Sequence, residues 1–405
     1  MKLGEVANEG AAPFGKPLDG IRVLAAEQMQ ALPFATQLLG RLGAEVVKVE
    51  HPVHGESGRG ADPAMVDPEG RSVGATFLRN NLSKRSVGID LKQPAGRDLF
   101  LRLAGRFDVV CENFKAGTMD RLGLGYPAVA AAHPHVVYLS VSGFGNAGDS
   151  PYRDWPAYAS IAEAMSGIYD FRREPGRAPR ANPVGALGDI SAALFAVIGV
   201  LAALRHRDRT GEGQYVDVAM LDAVLSMTDI VTNLWSLGVR SLDGDVRLIL
   251  ETFEASDGWF VLQVVRDHQF QRLGELIGRP GVTDLDELRA AVSGWASSRT
   301  MREAATALTE AGLAAGPCLH PPDVIDDPHV AARHMLVAMP RTDGVDEPVL
   351  VPGNPVKLSK VAEGPEKRVP WVGEHTGEVL RAELGLDDGA LARLHAAGVI
   401  SRPLA

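Results

Sequence analysis

An α/β fold built around a parallel sheet is predicted by three features of this chain. Residues 21–51 read as strand, turn, helix, strand. Short apolar runs rich in β-branched residues recur further on, and each is followed by a turn. Segments with apolar residues at helical spacing lie between them. Strands joined through crossover helices lie parallel, so the expected core is a Rossmann-like, doubly wound sheet. After Leu248 the texture changes to a strand pair followed by consecutive helices, which predicts a smaller α+β domain.

The first unit sets the pattern. Ile21, Val23 and Leu24 form a buried strand. Pro33 suits the first turn of a helix, where no N–H is required. Phe34, Leu38, Leu39 and Leu42 then share one helical face, and Gly43 ends the helix. Val46, Val47 and Val49 begin the next strand. The turn Glu27–Pro33 lies at the carboxyl end of the first strand, where open α/β sheets bind ligands. It lacks the G-x-G-x-x-G spacing of a dinucleotide site.

Residues 51–79 are rich in Gly, Pro and polar side chains and read as loop. A strand is expected at Ser86–Leu91, a helix from Pro94 to Arg106, and strands at Val109–Glu112 and Val136–Val141. Lys84, Arg85, Lys115 and Arg121 are read as lying just after strands, on one edge of the sheet, and are candidates for holding phosphates. Asn113 and Phe114 offer an amide and a ring for hydrogen bonding and stacking. Tyr158–Gly167 is expected to be helical, Tyr169–Pro183 a loop, and Ile190–Arg205 a buried helix. A strand follows at Gln214–Val218, then a helix from Met220 towards Leu237. Later strands flank the turn Ser256–Gly258, and helices are expected at Gln269–Ile277, Leu285–Val292 and Thr300–Ala311, with two more near Thr376–Leu384 and Asp388–Ala397.

Composition narrows the function classes. The chain has 405 residues, long for a single domain. Its net charge of −10 speaks against nucleic acid as a partner, because phosphate neutralisation needs a basic surface. Cys111 and Cys318 are the only cysteines and read as reduced thiols of a cytoplasmic protein. The longest apolar run, Ala192–Leu204, falls short of the roughly 20 residues of a spanning helix, so no membrane partner is expected. The histidines and cysteines lack ligand spacing, and no metal site is expected. There is no G-x-S-x-G elbow. Asp189 stands just before the apolar helix, either as its N-cap or as a carboxylate whose pKa the helix N-terminus lowers. Tyr158 is either a core aromatic or a proton donor.

Eight ordered blocks carry a resemblance that covers nearly the whole chain. They are PLDGIRVLAAEQMQALPFATQLLGRLGAEVVKVEHP, NNLSKRSVGIDLK, ENFKAGTMDRLGLGY, LSVSGFGNAGDSPY, ALGDISAALFAVIGVLAALRHRDRTGEGQYVDVAMLDA, GPCLHPPDVIDDPHVAARHM, PGNPVKLS and GEHTGEVL. The chain resembles the family III CoA-transferases, the CaiB/BaiF group that includes formyl-CoA transferase, carnitine CoA-transferase and α-methylacyl-CoA racemase. The resemblance implies a large CoA-binding domain, residues 1–222, interrupted by a linker helix and small α+β domain, residues 223–335. Residues 336–405 return to the large domain. It also implies an intertwined homodimer, an acyl-CoA thioester as substrate and a small carboxylic acid as second partner.

The family's CoA contacts carry over onto Gln30, Ala31, Lys84, Arg85, Asn113, Phe114 and Arg121. His51 stands where many members have an arginine. The active centre departs further. Transferases of this family place an aspartate nucleophile in a loop reading like EPDGPP, and here that loop reads Glu174-Pro175-Gly176-Arg177-Ala178-Pro179. The aspartate position falls on Gly176 or Arg177, which leaves Glu174 and Asp170 as the nearby carboxylates, Glu174 being the nearer in sequence. The racemase pair of Asp and His maps onto Asp189 and Tyr158. Three readings stay open: a CoA-transferase with a displaced nucleophile or none, an isomerase using Asp189, and a non-catalytic acyl-CoA binder.

Overall fold

The computed structural model describes residues 1–171, 176–181, 186–239 and 247–403. The chain divides into two compact units, Met1–Leu237 with Ala331–Ala405, and Gly238–Val330.

In the first unit, β1 (Arg22–Ala26) leads through α1 (Ala31–Arg41) to β2 (Glu45–Glu50). The stretch expected to be all loop holds a hairpin, β3 (Ala64–Val66) and β4 (Ser72–Gly74), and a short helix, α2 (Ala75–Asn80). Next come β5 (Arg85–Gly88), α3 (Pro94–Ala104), β6 (Val109–Glu112), α4 (Thr118–Leu122), α5 (Tyr126–Ala132) and β7 (Val137–Ser142). Helices α6 (Ala159–Met165) and α7 (Leu187–Thr210) precede β8 (Gln214–Ala219) and α8 (Met220–Met227).

Six of these strands form one parallel sheet in the order β5-β2-β1-β6-β7-β8. Their near-continuous apolar sequences follow from burial on both faces. Val23, Ala25, Val46, Val109, Cys111, Val137 and Leu139 pack against α1 and α7. Leu24, Val47, Val87, Ile89, Val110 and Tyr138 face α3 and the helices Thr376–Leu384 and Asp388–Ala396, through Val379, Leu380 and Leu391. Strand order reverses between β1 and β6, because the chain runs outward to β5 and returns to the other side of β1. The turns after β1 and β6 therefore splay apart at that point, which is where ligands bind in open sheets.

Gly43 has φ +114, so the turn from α1 into β2 uses a backbone that side-chain-bearing residues rarely adopt. Helix α7 is longer than its apolar core suggests, because the polar turn His206–Thr210 continues it towards solvent before Gly211 at φ +78 stops it. It is long and apolar enough to cross a membrane by length and composition. It packs instead as a layer against α1, β7 and β8. The helix expected from Met220 towards Leu237 breaks early. Thr228 takes an extended backbone, and a short π-turn at Ile230–Leu234 follows.

The second unit is an antiparallel sheet, β9 (Ile249–Ala255), β10 (Gly258–Val264) and β11 (Ala314–Pro317), in the order β11-β10-β9. Its strands alternate buried and exposed residues, as expected when one face is solvated. The buried face, with Ile249, Phe253, Phe260 and Leu262, meets α9 (Asp267–Leu276), α10 (Leu285–Ala296) and α11 (Met301–Glu310). Thr300 and Glu303 form a reciprocal cap at the start of α11. Back in the first unit, β12 (Leu336–Met339) and β13 (Val349–Pro352) pair antiparallel.

Gly213 enters β8 against the preceding backbone, and a Cβ there would lie 2.1 Å from the carbonyl oxygen of Val136. Gly213→Ala must shift the β7–β8 pair, and overpacking of this kind costs about 1–3 kcal/mol. Urea unfolding of this variant should show a loss in that range, and an unchanged midpoint would mean that the backbone there gives freely.

Candidate active site

The turn at the carboxyl end of β1 rests on a buried ionic network. Glu27 is 2% exposed. Its Oε1 accepts from Lys84 Nζ at 2.6 Å and from Lys48 Nζ at 3.4 Å, and its Oε2 accepts from Thr36 Oγ1 at 2.7 Å. Lys84 Nζ also donates to the carbonyl of Pro33 and to Asn81 Oδ1, both at 2.9 Å. Lys48 comes from β2 and Lys84 from just before β5, so parallel pairing of the strands delivers both ammonium groups beneath one turn. Glu56 Oε2 accepts from the backbone N–H of Met29, at 2.8 Å, and that of Gly58. Glu50 takes two bonds from Arg59, at 2.8 and 2.6 Å, and one from Ser86 Oγ. Glu27, Glu50 and Glu56 are thus matched in number by Lys48, Lys84 and Arg59, which is the condition for burying charge.

Burial pushes the Glu27 carboxyl up, but Lys84 and Lys48 more than offset it, and its pKa lies below the usual carboxylate range. Burial likewise lowers Lys84 to about 8, against the pull of Glu27, so the pair is ionised at neutral pH. Met29, in this turn, has φ +59, a conformation uncommon outside glycine and a sign of a turn held by its surroundings.

The turn after β6 is tied to the same point. Asn113 Oδ1 accepts from Gln28 N and Asn113 Nδ2 donates to the Gln28 carbonyl, each at 2.9 Å. One side chain thereby closes the switch point between β1 and β6. The next backbone N–H, that of Phe114, donates to Glu112 Oε2 at 2.8 Å. Gln30 is the N-cap residue of α1 and Ala31 its first residue. The unpaired N–H groups of a helix N-terminus make such a position suited to anionic or carbonyl oxygens.

The other expected contacts differ in their surroundings. Lys84 was expected to meet a phosphate, but it is 4% exposed and its ammonium already carries three bonds. Arg85 begins β5 in register with Val47 and Leu24, and its side chain turns towards the amino end of β2, away from the crevice. There it pairs with Glu45 at 2.5 Å and Glu378 at 3.0 Å. His51 follows β2 and is exposed. Its Nδ1 accepts from the N–H groups of Val53 and His54, and its ring stacks on that of His54. Arg121 is exposed in α4, donating to Thr118 Oγ1 at 2.9 Å.

A second carboxylate group lies where α6 meets α7. Helix α7 feeds parallel strand β8, so its N-terminus sits at the same sheet edge as the crevice. Its N-cap is Ala186, with no side-chain cap, and Asp189 stands in the first turn. Asp189 is therefore not the cap. Nor is its pKa lowered: burial first, then the nearby Glu163, push it up to about 6, outweighing the helix N-terminus. Glu163 of α6 is 1% exposed. It accepts from Gly188 N at 3.0 Å and from the Tyr169 hydroxyl at 2.6 Å, supplying from a neighbouring helix the cap that α7 lacks. Tyr158, at the N-cap of α6, is 71% exposed and is not a core aromatic. Gly176 and Arg177 are exposed, and Gly176 has φ +76. Glu174 lies outside the described residues.

Sequence reasoning missed Glu27, Glu112 and Glu163. Each is a lone acid in a buried apolar stretch, which is the signal that could have marked it. Among the described residues, no group of His, Cys, Asp and Glu is arranged to hold a metal ion.

Comparison with known proteins adds a family. The sequence model described as CoA-transferase family III matches residues 18–376. Succinyl-CoA:mesaconate CoA-transferase of Haloarcula hispanica is 34% identical over 92% of this chain and 97% of its own. The beta subunit of succinyl-CoA–L-malate CoA-transferase of Chloroflexus aurantiacus is 34% identical over 95% of this chain and 98% of its own. A crystal structure of a CaiB/BaiF family protein from Brucella suis superposes with a TM-score of 0.78 at 31% identity, covering 91% of this chain and all of that one.

Removing Glu27 would leave Lys48 and Lys84 buried without their carboxylate. Breaking a buried pair of this kind costs about 3–5 kcal/mol. Glu27→Ala should lose that much in denaturant unfolding at pH 7, and a loss below about 1 kcal/mol would mean that water reaches the lysines.

Proposed function

The chain belongs to CoA-transferase family III and is an enzyme of the acyl-CoA:carboxylate kind, and we propose that it moves coenzyme A from succinyl-CoA, or a similar thioester, to a small dicarboxylic acid. The observation that carries this reading is the closed switch point. Asn113 joins two post-strand turns, the N-terminus of α1 opens beside them, and Arg121 stands exposed one short helix away. In this proposal Gln30, Ala31, Asn113 and Phe114 hold the thioester arm, and Arg121 and His51 meet phosphates. The donor and acceptor classes come from the names of the two curated relatives above.

Transfer needs a carboxylate oxygen to attack the thioester carbonyl. A mixed anhydride forms, the C–S bond breaks, and CoA leaves as thiolate. The thiolate then attacks the other carbonyl of the anhydride, releasing the first acid and making the new thioester. Neither Gly176 nor Arg177 has an oxygen nucleophile, so no acyl-aspartyl anhydride forms at the family's usual position. If the acyl group passes through the protein, we propose Glu174 as its carrier; otherwise the acceptor acid attacks directly. Asp189, with a pKa of about 6, is proposed as the acid/base group at this edge, and the exposed Tyr158 phenol as a proton donor.

A homodimer belongs to the same proposal. Leu194 and Ile198 on α7, Met227 at the end of α8, and Val231 and Leu237 beyond it leave large apolar side chains in water, Ile198 at 61% exposure. A second copy of this chain is the proposed cover. The free thiols Cys111 and Cys318 fit the proposed cytoplasmic location.

Incubation with succinyl-CoA and a panel of dicarboxylic acids, followed by hydroxylamine trapping and peptide mass mapping, tests this function. A new thioester is expected, and any hydroxamate should map to Glu174. A folded protein that binds succinyl-CoA yet makes no new thioester contradicts the transferase reading. Deuterium exchange at the acyl α-carbon in its place would mark proton abstraction by Asp189.

A further inference from the structure

Strand β6 ends in a carboxylate that the proposed chemistry does not use. Glu112 is 4% exposed and lies in register with Ser140 of β7, which in turn pairs with Asp217 of β8. Both of its oxygens are engaged: Oε1 accepts from Ser140 Oγ, and Oε2 accepts from Phe114 N at 2.8 Å. Asn113, between these two residues, makes the paired bonds to Gln28. The loop that follows is held at a second point, where Gly117 N donates to Asn146 Oδ1 at 3.0 Å. Asn146 is in turn fixed by its own N–H on Asp217.

Behind Glu112 lies a cavity of about 220 Å³, walled by Glu112, Asp120, Tyr126, Tyr138, Ser140 and Asn146 among others. The packing on that side is therefore open, and the hydrogen bonds do the holding. An Asn113 side chain fixed only by its own backbone would be free to turn away from Gln28. With Phe114 N anchored on Glu112, the Asn113 amide is presented to Gln28 before any ligand arrives.

We infer that Glu112 is a positioning residue for thioester binding: its two-acceptor carboxyl, braced by Ser140, fixes the Asn113–Phe114 turn against Gln28 and so pre-shapes the crevice for coenzyme A. This rests on the reading of that crevice as the CoA site. Preorganisation acts on binding, so its loss shows in affinity for CoA and in KM for the thioester, with kcat and KM for the acceptor acid little changed. Glu112→Gln keeps an acceptor for Phe114 N, and its amide can donate to Ser140 Oγ, whose hydroxyl rotates to suit. Glu112→Asp keeps the carboxyl group but is one methylene too short to hold both donors.

The test is calorimetric binding of CoA to the full-length protein, with steady-state kinetics on succinyl-CoA and circular dichroism as a check on folding. Glu112→Asp and Glu112→Ala are expected to raise Kd and KM on the order of tenfold, as loss of a buried hydrogen bond implies. Glu112→Gln should stay within about threefold of the parent, and Ser140→Ala should fall between, since it removes only the brace. If Glu112→Ala fails to fold, Glu112→Asp carries the comparison. Unchanged Kd in Glu112→Asp, or a fall confined to kcat, overturns the inference while leaving the transferase reading intact. Failure of the parent protein to bind CoA at all overturns both.

Discussion

The ionic pairing of Glu27 with Lys48 and Lys84 is the constraint on which the site depends. Two ammonium groups and a carboxylate are almost fully removed from water, with side-chain exposures of 0–1%. Desolvating them is costly, and their mutual attraction offsets the cost only when the geometry is held. That geometry exists only once β1, β2 and β5 lie side by side, because each strand or its flank delivers one member. Folding of the sheet and shaping of the turn after β1 are therefore one event. Glu56 extends the network by binding the N–H of Met29 in its left-handed conformation.

The other half of the crevice is built from backbone and amide bonds. Asn113 bridges to Gln28 across the switch point, and Glu112 braces the residue after it. Helix α7 adds a third component at the same edge. Its first turn carries Asp189, whose pKa burial raises first and the nearby Glu163 second, and Glu163 from α6 also caps the helix. A preformed turn and a carboxylate whose pKa burial and Glu163 raise to about 6 are features on which acyl transfer can draw.

Much of the fold was legible locally. Gly43 after an apolar helical face, and Val46, Val47 and Val49 after that, announce a βαβ unit without any tertiary knowledge. What a side chain reaches was less legible. Lys84 and Arg85 read as residues just after strands, but Lys84 precedes β5 and Arg85 begins it, and what their side chains reach, Glu27 for one and Glu45 for the other, is set by the pairing of the strands. Lys48 was not singled out, because its partner Glu27 lies far off in the sequence, in the turn after β1. Asp189 was read from the helix N-terminus alone, whereas burial and Glu163, both consequences of packing, set its protonation. The break at Thr228 has no local marker such as Pro or Gly.

The central claim is that coenzyme A lies across the turns after β1 and β6. A crystal structure with CoA bound tests it most directly. The account predicts the pantetheine arm along Gln28–Ala31 and Asn113–Phe114, the phosphates towards Arg121, and the Glu27–Lys84 pair intact beneath them. CoA seated beside Arg85 towards the amino end of β2, or Lys84 turned out from Glu27 to meet a phosphate, would contradict it.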